Sequence, residues 1–418
     1  MVKLMQVTER FEKVDINKLI PYARNARTHS KEQILQLRAS IREFGFLNPI
    51  LADKDFNIIA GHGRILAAKE EGLEEVPCVF VEHLTEAQKR AYIIADNRLA
   101  LNAGWDAEML AVELADLELA DFDLDLLGFD AAELNKYMGD LENVEEDDFD
   151  VDEELKNPAI TKAGDLWQLG EHRLVCGDST KEETFTSLMD GKKANLVVTD
   201  PPYNVNYEGT AGKIKNDNMA DGMFYQFLFD AFTQMEKVMA SDASIYVFHA
   251  DTEGLNFRRA FAEAGFYLSG TCIWKKQSLV LGRSPYQWQH EPVLFGWKKK
   301  GKHAWYSDRK QSTIWEFDKP RKNSDHPTMK PVPLIAYPIL NSSLTGCNVL
   351  DPFGGSGSTL IASDQLERIC YSVELDEKFC DVIVKRYIEH KGSSEDVFLI
   401  RGGAKIPFED IERMKDHE

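Results

Sequence analysis

The residues Asn348-Val349-Leu350 read as a short buried strand that runs directly into Asp351-Pro352-Phe353-Gly354-Gly355-Ser356-Gly357-Ser358-Thr359. A helical pattern carried by Leu360, Ile361 and Leu366 follows. Glycines between a strand and a helix let the backbone approach a ligand closely, and the helix N-terminus favours a polar or anionic group. The next strand-like run, Ile369 to Val373, ends in Glu374, about twenty residues after the glycines. A carboxylate at that distance is placed to accept both ribose hydroxyls of an adenosine-containing cofactor, by the logic of dinucleotide folds. From residue 161 onward strands and helices alternate, which predicts an α/β fold with a mostly parallel sheet covered on both faces.

A second motif narrows the chemistry. The apolar run Ala194 to Thr199 closes on Asp200-Pro201-Pro202-Tyr203. The Pro-Pro step fixes two φ angles and removes two donors, so the turn offers carbonyls rather than N–H groups. Asp200 and a rigid carbonyl can accept the two hydrogens of an exocyclic amino group while the Tyr203 ring stacks on its base. Alone, the tetrapeptide could equally be a strand ending in a proline turn.

Together, the two motifs make residues from roughly 161 to 392 resemble an amino-methylating DNA methyltransferase that uses S-adenosylmethionine, and the domain is expected to span 161–418. The tetrapeptide precedes the glycine loop, an order that resembles the circularly permuted beta group of these enzymes. The resemblance implies a Rossmann-like sheet, with Asp200, Pro201, Pro202 and Tyr203 as catalytic residues. It also implies a cofactor site at Asp351, Phe353, Gly354, Gly355, Ser356, Gly357 and Glu374. His172 to Asp178 resembles the strand that opens the permuted domain, with Asp178 near the cofactor's adenine. His326-Pro327-Thr328-Met329-Lys330-Pro331 resembles the segment whose backbone and Lys330 line the methionine end. An aspartate at the first position of the tetrapeptide goes more often with adenine N6 in the resembled group, with cytosine N4 as the alternative. No metal and no covalent intermediate is required.

Composition places these motifs in a larger plan. At 418 residues, two domains are expected. No apolar run approaches the length of a membrane span, Met1 to Phe11 has no signal-peptide pattern, and six scattered cysteines suit a reducing cytoplasm. The net charge of −21 is unpromising for a DNA-binding protein, but it is concentrated. Residues 106–154 hold 20 Asp and Glu against one Lys, so the rest of the chain carries only −2. Residues 106–160 are accordingly expected to form an acidic, partly helical linker, with the run from Glu142 to Glu154 as a solvated tether.

Residues 1–105 read as a compact α+β domain. Ile34, Leu37, Ile41 and Phe44 follow helical spacing up to Gly45, and strands are expected at Asn48–Ala52, Phe56–Ala60 and Val76–Val81. Thr85 to Asn97 reads as a helix capped by Thr85. Asn25-Ala26-Arg27, Gly45 to Ile50 and Ile58 to Arg64 resemble the ParB-type nuclease-like domain shared by chromosome-partition proteins and sulfiredoxin. The departure is at Gly61-His62-Gly63-Arg64, where partition proteins usually carry Glu-Arg-Arg after the glycine. Gly61, His62 and Arg64 remain candidates for phosphate binding, and a nucleotide-gated or nicking DNA-binding protein is the rival reading.

Between Trp274 and Lys330 lie 13 Lys and Arg against five Asp and Glu, and five of the chain's seven tryptophans. Basic groups neutralise phosphates, and aromatic rings stack on bases or fill the gap left by an extruded one. Residues 274–330 are therefore the expected target-recognition segment, with Lys275, Lys276, Arg283, Lys298, Lys299 and Lys300 as DNA contacts. Double-stranded DNA is the expected partner. The sequence does not give the oligomeric state, with a homodimer as the expectation carried forward, and an accessory domain fused to such an enzyme suggests by association a mobile-element or phage setting for DNA modification or restriction-modification.

Overall fold

The computed structural model describes residues 10–23, 27–120, 122–130, 133–134, 137, 141–205, 208–209, 212–213, 217–280, 285–307, 310–318 and 329–415. Asn25, Ala26, Arg283 and His326 to Thr328, all named above, lie outside them. The chain divides into two compact units, one of residues 1–110 and 116–133, the other of residues 111–115 and 134–418.

The first unit carries four strands: β1 (Arg10–Asp15), β2 (Ile50–Ala52), β3 (Ile58–Ala60) and β4 (Glu75–Phe80), in the order β1-β4-β2-β3. Its helices are Lys31–Phe44, His62–Glu70 and Glu86–Ala100. Ser30 caps the first by accepting the Gln33 N–H, and Gly45 ends it with a φ of 79°. Thr85 and Gln88 form a reciprocal capping box on the third. Ile50, Ala52, Ile58, Ile65, Ala68, Val76, Cys78 and Phe80 build the core. The expected strands are present, the first two shortened at their starts and the third shifted one residue earlier, because ladder pairing rather than apolar content sets the boundary. Strand β1 gives no sequence signal: it pairs at a sheet edge and only Val14 in it is buried, so it shows no apolar alternation.

The second unit is built on one eleven-stranded sheet. Its strands are β5 (Leu166–Leu169), β6 (His172–Cys176), β7 (Ala194–Thr199), β10 (Met239–Phe248), β11 (Phe266–Val280), β12 (Trp288–Lys298), β13 (Ile314–Glu316), β14 (Asn348–Asp351), β15 (Ile369–Glu374), β16 (Val397–Arg401) and β17 (Ala404–Pro407). A small hairpin, β8 (Glu208–Gly209) and β9 (Gly212–Lys213), stands apart. The order is β13-β11-β12-β10-β7-β14-β15-β6-β5-β16-β17, and the five strands from β10 to β6 are mutually parallel. Both faces are covered. Leu196, Val198 and Val349 pack among the helices Val332–Ser342, Ser358–Gln365 and Glu377–Lys391. Val197, Val175 and Leu350 pack among Glu182–Met189, Asp221–Val238 and Gly254–Glu263. That two-sided burial explains why these strands read as continuous apolar runs.

From β7 the chain moves outward to β10, and from β14 it moves outward the other way to β15. The β7/β14 border is therefore a topological switch point, where ligands of open α/β sheets bind beyond the strand C-termini.

The tether expected over residues 142–154 takes a different form. Val144, Phe149 and Val151 are buried, the latter two against Met329 and Val382. Asp147 accepts from Arg386 Nε at 2.8 Å, Glu154 pairs with Lys385 at 2.7 Å, and Glu146 accepts the Val332 N–H at 2.8 Å. Glu145 and Gln365 exchange two hydrogen bonds at 2.9 Å. Counting like charges along the run missed the bases of helix Glu377–Lys391 that neutralise it. Arg386 is 1% exposed and also donates to the Ser356 carbonyl at 2.9 Å, so it joins the acidic strap to the glycine loop. Replacing Arg386 by Met should strand Asp147 and release Ser356, costing about 3 kcal/mol as for other broken buried pairs. Chemical denaturation of the full chain measures it.

Candidate active site

Asp200 follows β7 directly, and Asp351 ends the neighbouring β14, with Leu196 opposite Val349 and Val197 opposite Leu350. Thr199 Oγ1 donates to Asp351 Oδ1 at 2.8 Å, and the Phe353 N–H donates to the same oxygen at 3.1 Å. Burial pushes the Asp351 carboxyl up to about 7 despite those donors. This carboxylate organises the loop and is not exposed to a ligand (3% accessible).

The glycine loop has the form expected of a cofactor cradle. Gly355 and Gly357 take φ of 50° and 87°, a region side chains disfavour, and Gly357 opens the helix Ser358–Gln365. A Cβ added at Gly354 would stand 3.0 Å from Ile383 Cδ1 and Ser372 Oγ, so a side chain there would make both of them shift. The Gly355 N–H donates to Glu374 Oε2 at 2.8 Å and the Asp376 N–H to Oε1 at 2.7 Å. Burial raises the Glu374 carboxyl to about 7 against these bonds, and further hydroxyl donors would bring it back toward the ionised form. The Gly177 N–H donates to the Glu374 carbonyl at 2.9 Å, and Ser179 Oγ donates to the Pro352 carbonyl at 2.5 Å. Asp178, which itself accepts from the Thr180 N–H and hydroxyl, is thereby held beside both Glu374 and the glycine loop. Three strand ends thus converge with the residues singled out from sequence.

At the Asp200 end the arrangement is tighter than expected. Tyr203 Oη donates to Asp200 Oδ1 at 2.5 Å and stands 3.2 Å from Glu291 Oε2. Lys330 Nζ donates to Asp200 Oδ2 at 2.5 Å and lies 3.2 Å from Glu291 Oε2 and from Tyr203 Oη. Lys276 pairs with Glu291 Oε1. Burial opposes the Lys330 charge, but Asp200 and Glu291 outweigh it and raise its pKa. Burial likewise opposes the Glu291 charge, yet Lys330 and Lys276 hold this carboxyl at about 2. Burial pushes the Asp200 carboxyl up against the pull of Lys330. Two acids and two bases therefore balance in one pocket whose rear wall includes Phe248 and Phe257.

Several placements correct the sequence reading. Lys330 sends its ammonium to Asp200 and Glu291, and its carbonyl accepts from Ser358 Oγ at 2.8 Å. Lys276 points into the acidic pocket and over the Trp274 ring at 5.3 Å, with 17% of its side chain exposed, so it is not a free phosphate contact. Lys298 ends β12 and Lys299 and Lys300 follow it, roughly 24 Å from Glu291 at about 3.4 Å per residue. That is the opposite edge of the sheet, and Lys298 pairs with Glu236 while Lys299 donates to the Ala262 carbonyl. A local charge count has no direction, and antiparallel β12 carries this turn away from the strand C-termini. Lys275 does lie at the active edge, exposed and paired with Glu316 at 2.5 Å. Trp274 and Trp315 are core residues, whereas Tyr286 (89% exposed) and Trp288 (39%) stand on the β11–β12 hairpin beyond that edge. Glu291 was missed. Its signal was a carboxylate directly ahead of the apolar run Pro292 to Phe295.

In the first unit, Gly61 has a φ of 102° and opens helix His62–Glu70. His62 Nε2 accepts the Tyr22 N–H at 3.2 Å, and burial lowers its pKa, so the ring is neutral and occupied. Arg64 donates to the Pro49 carbonyl at 3.3 Å, and its Nε is buried without a partner among the described residues. Neither side chain is turned outward as an open phosphate ligand.

The DNA methylase family matches residues 194–385 and the ParB N-terminal domain matches residues 2–97. A third family, the ParB-methyltransferase HTH domain, matches residues 108–163, most of the stretch expected to be linker. The ParB-like nuclease domain-containing protein YnaK of Escherichia coli is 49% identical over 18% of this chain and 86% of its own. Type II methyltransferase M.HpaI of Haemophilus parainfluenzae is 24% identical over 52% and 74%. Among solved structures, the M1.HpyAVI–SAM complex aligns over 51% of this chain and 98% of its own at 21% identity, with a TM-score of 0.40. The chain carries a DNA methylase domain of the N6/N4 family of DNA methyltransferases, with a ParB-type domain joined at its N-terminal side. S-adenosylmethionine is the methyl donor of that family.

Glu374→Ala should weaken S-adenosylmethionine binding about tenfold or more, the worth of hydrogen bonds to a charged group. Titration calorimetry reads it, and a Gly357→Val variant should lose binding outright through strain at its left-handed φ.

Proposed function

We propose that the protein transfers a methyl group to the N6 amino group of adenine in double-stranded DNA. The observation that carries this is the adjacency of Asp200 and the glycine loop at the β7/β14 border. That adjacency supports a reading in which Asp200 is the amino-group acceptor and the glycine loop the cradle for the sulfonium donor. A target base lifted out of the duplex stacks on Tyr203, and Asp200 with the Pro201 carbonyl accepts its two N–H bonds. Those bonds favour a pyramidal nitrogen whose lone pair attacks the methyl carbon in line. The C–S bond breaks with its electrons left on sulfur, the N–C bond forms, and the surplus proton leaves nitrogen toward the Asp200 carboxylate. Positioning and preorganised acceptors supply most of the acceleration.

In the cofactor site, Glu374 holds the ribose hydroxyls, the loop from Phe353 to Gly357 lies along the donor, and Asp178 approaches the adenine. On the DNA side, Lys275, Tyr286 and Trp288 share the edge of Asp200 and form the contact surface. Adenine is favoured over cytosine by the aspartate at position 200, and a relative in Escherichia coli is named a DNA adenine methyltransferase (23% identical over 51% of this chain and 81% of its own). For the first unit, the neutral His62 and the inward Arg64 support a structural role over nucleotide gating.

Nucleoside mass spectrometry of amplified, unmethylated DNA incubated with the protein and S-adenosylmethionine tests this. N6-methyladenine is expected, and N4-methylcytosine would overturn the base assignment. Asp200→Ala should reduce methylation by at least about a thousandfold, beyond the usual worth of one oriented acceptor, with cofactor affinity unchanged. Continued turnover by that variant would sink the scheme.

A further inference from the structure

The pocket around Asp200 is already filled by the protein's own donors. Oδ1 holds the Tyr203 hydroxyl and Oδ2 holds the Lys330 ammonium, both at 2.5 Å. An incoming amino group needs those acceptor positions. It also gains positive charge as the methyl arrives, so an ammonium left on Asp200 would oppose the transition state. The side chains that block Asp200 both lie 3.2 Å from a single alternative acceptor, Glu291 Oε2. The other Glu291 oxygen is fixed by Lys276, and the residue sits in β12 directly across from Trp274, so it is a rigid anchor.

We infer that Glu291 is a positioning residue that draws Lys330 and the Tyr203 hydroxyl off Asp200 when the target base enters. Lys330 then has two stations. On Asp200 it neutralises the carboxylate of the empty pocket; on Glu291 it leaves Asp200 free and keeps its own charge away from the reacting nitrogen. Glu291 never touches the base in this scheme and acts through Lys330. A charge-balanced cluster makes the exchange feasible, because Lys330 moves between two carboxylates without leaving its buried site (9% exposed). The inference rests on the amino-methylation reading above and deepens it.

The test is a double-mutant cycle on the full chain, using amplified DNA and S-adenosylmethionine with single-turnover detection of methylated nucleoside. Glu291→Gln is expected to lower kcat about 10- to 100-fold, the worth of a hydrogen bond to a charged group, while KM for DNA and cofactor affinity stay within about twofold. In a Lys330→Met background, which should retain measurable methylation, the same Glu291→Gln change is expected to cost less than about threefold. Melting and cofactor titration confirm that each variant is folded. Three results would overturn the inference: an unchanged kcat in Glu291→Gln, an equal loss with or without Lys330, or a dead Lys330→Met. A Glu291→Gln variant that loses melting temperature and cofactor affinity together would also overturn it, as a purely structural role. Full activity in Asp200→Ala would instead reject the underlying reaction, which separates the two failures.

Discussion

The hydrogen bond from Thr199 to Asp351 holds the two halves of the site together. It joins the last residue of one central strand to the last of its neighbour, although the segments lie far apart in sequence. Everything functional hangs from that border. The tetrapeptide leaves one strand, the glycine loop leaves the other, and the Asp351 carboxylate shapes the loop through the Phe353 N–H without meeting a ligand. The parallel strands on either side then bring Glu374 and Asp178 to the same edge. The permuted order of the motifs is therefore immaterial to the pocket, since sheet pairing and not chain order decides what is adjacent.

Much of this was legible in the residues. The α/β architecture followed from alternating apolar runs, and the residues singled out as a group, Asp178, Asp200, Asp351, Gly354 to Gly357 and Glu374, lie at neighbouring strand ends. What failed had a common cause. Lys298 to Lys300 and Lys276 were chosen by local charge, a scalar that says nothing about which end of a strand a side chain occupies or which way it faces. Glu291 was overlooked because its significance lies in three partners from three distant segments, Tyr203, Lys276 and Lys330. The acidic run was misjudged for the same reason, its neutralising bases lying beyond residue 384.

The pocket illustrates how a protein keeps ionised groups under cover. Asp200, Glu291, Lys276 and Lys330 would each be costly to bury alone, and the desolvation is tolerable only because charges alternate and hydrogen bonds fill the remaining valences. In such a cluster one ammonium has two carboxylates within reach. A group with two acceptable partners can change partner, which an isolated ion pair cannot do.

The strap from Val144 to Thr161 has a consequence for where the catalytic module begins. A cut at residue 161, where the methylase resemblance starts, would remove Phe149 and Val151 from their seat on Met329 and Val382. It would also leave Arg386, which grips the glycine loop, with a bare charge in a dry interior. The strap, inside the stretch that composition reads as a solvated tether, is therefore packed as part of the second unit. In a fused gene of this kind the seam is part of the machine, and shuffling the ParB-type half between relatives would have to carry the acidic strap with the methylase.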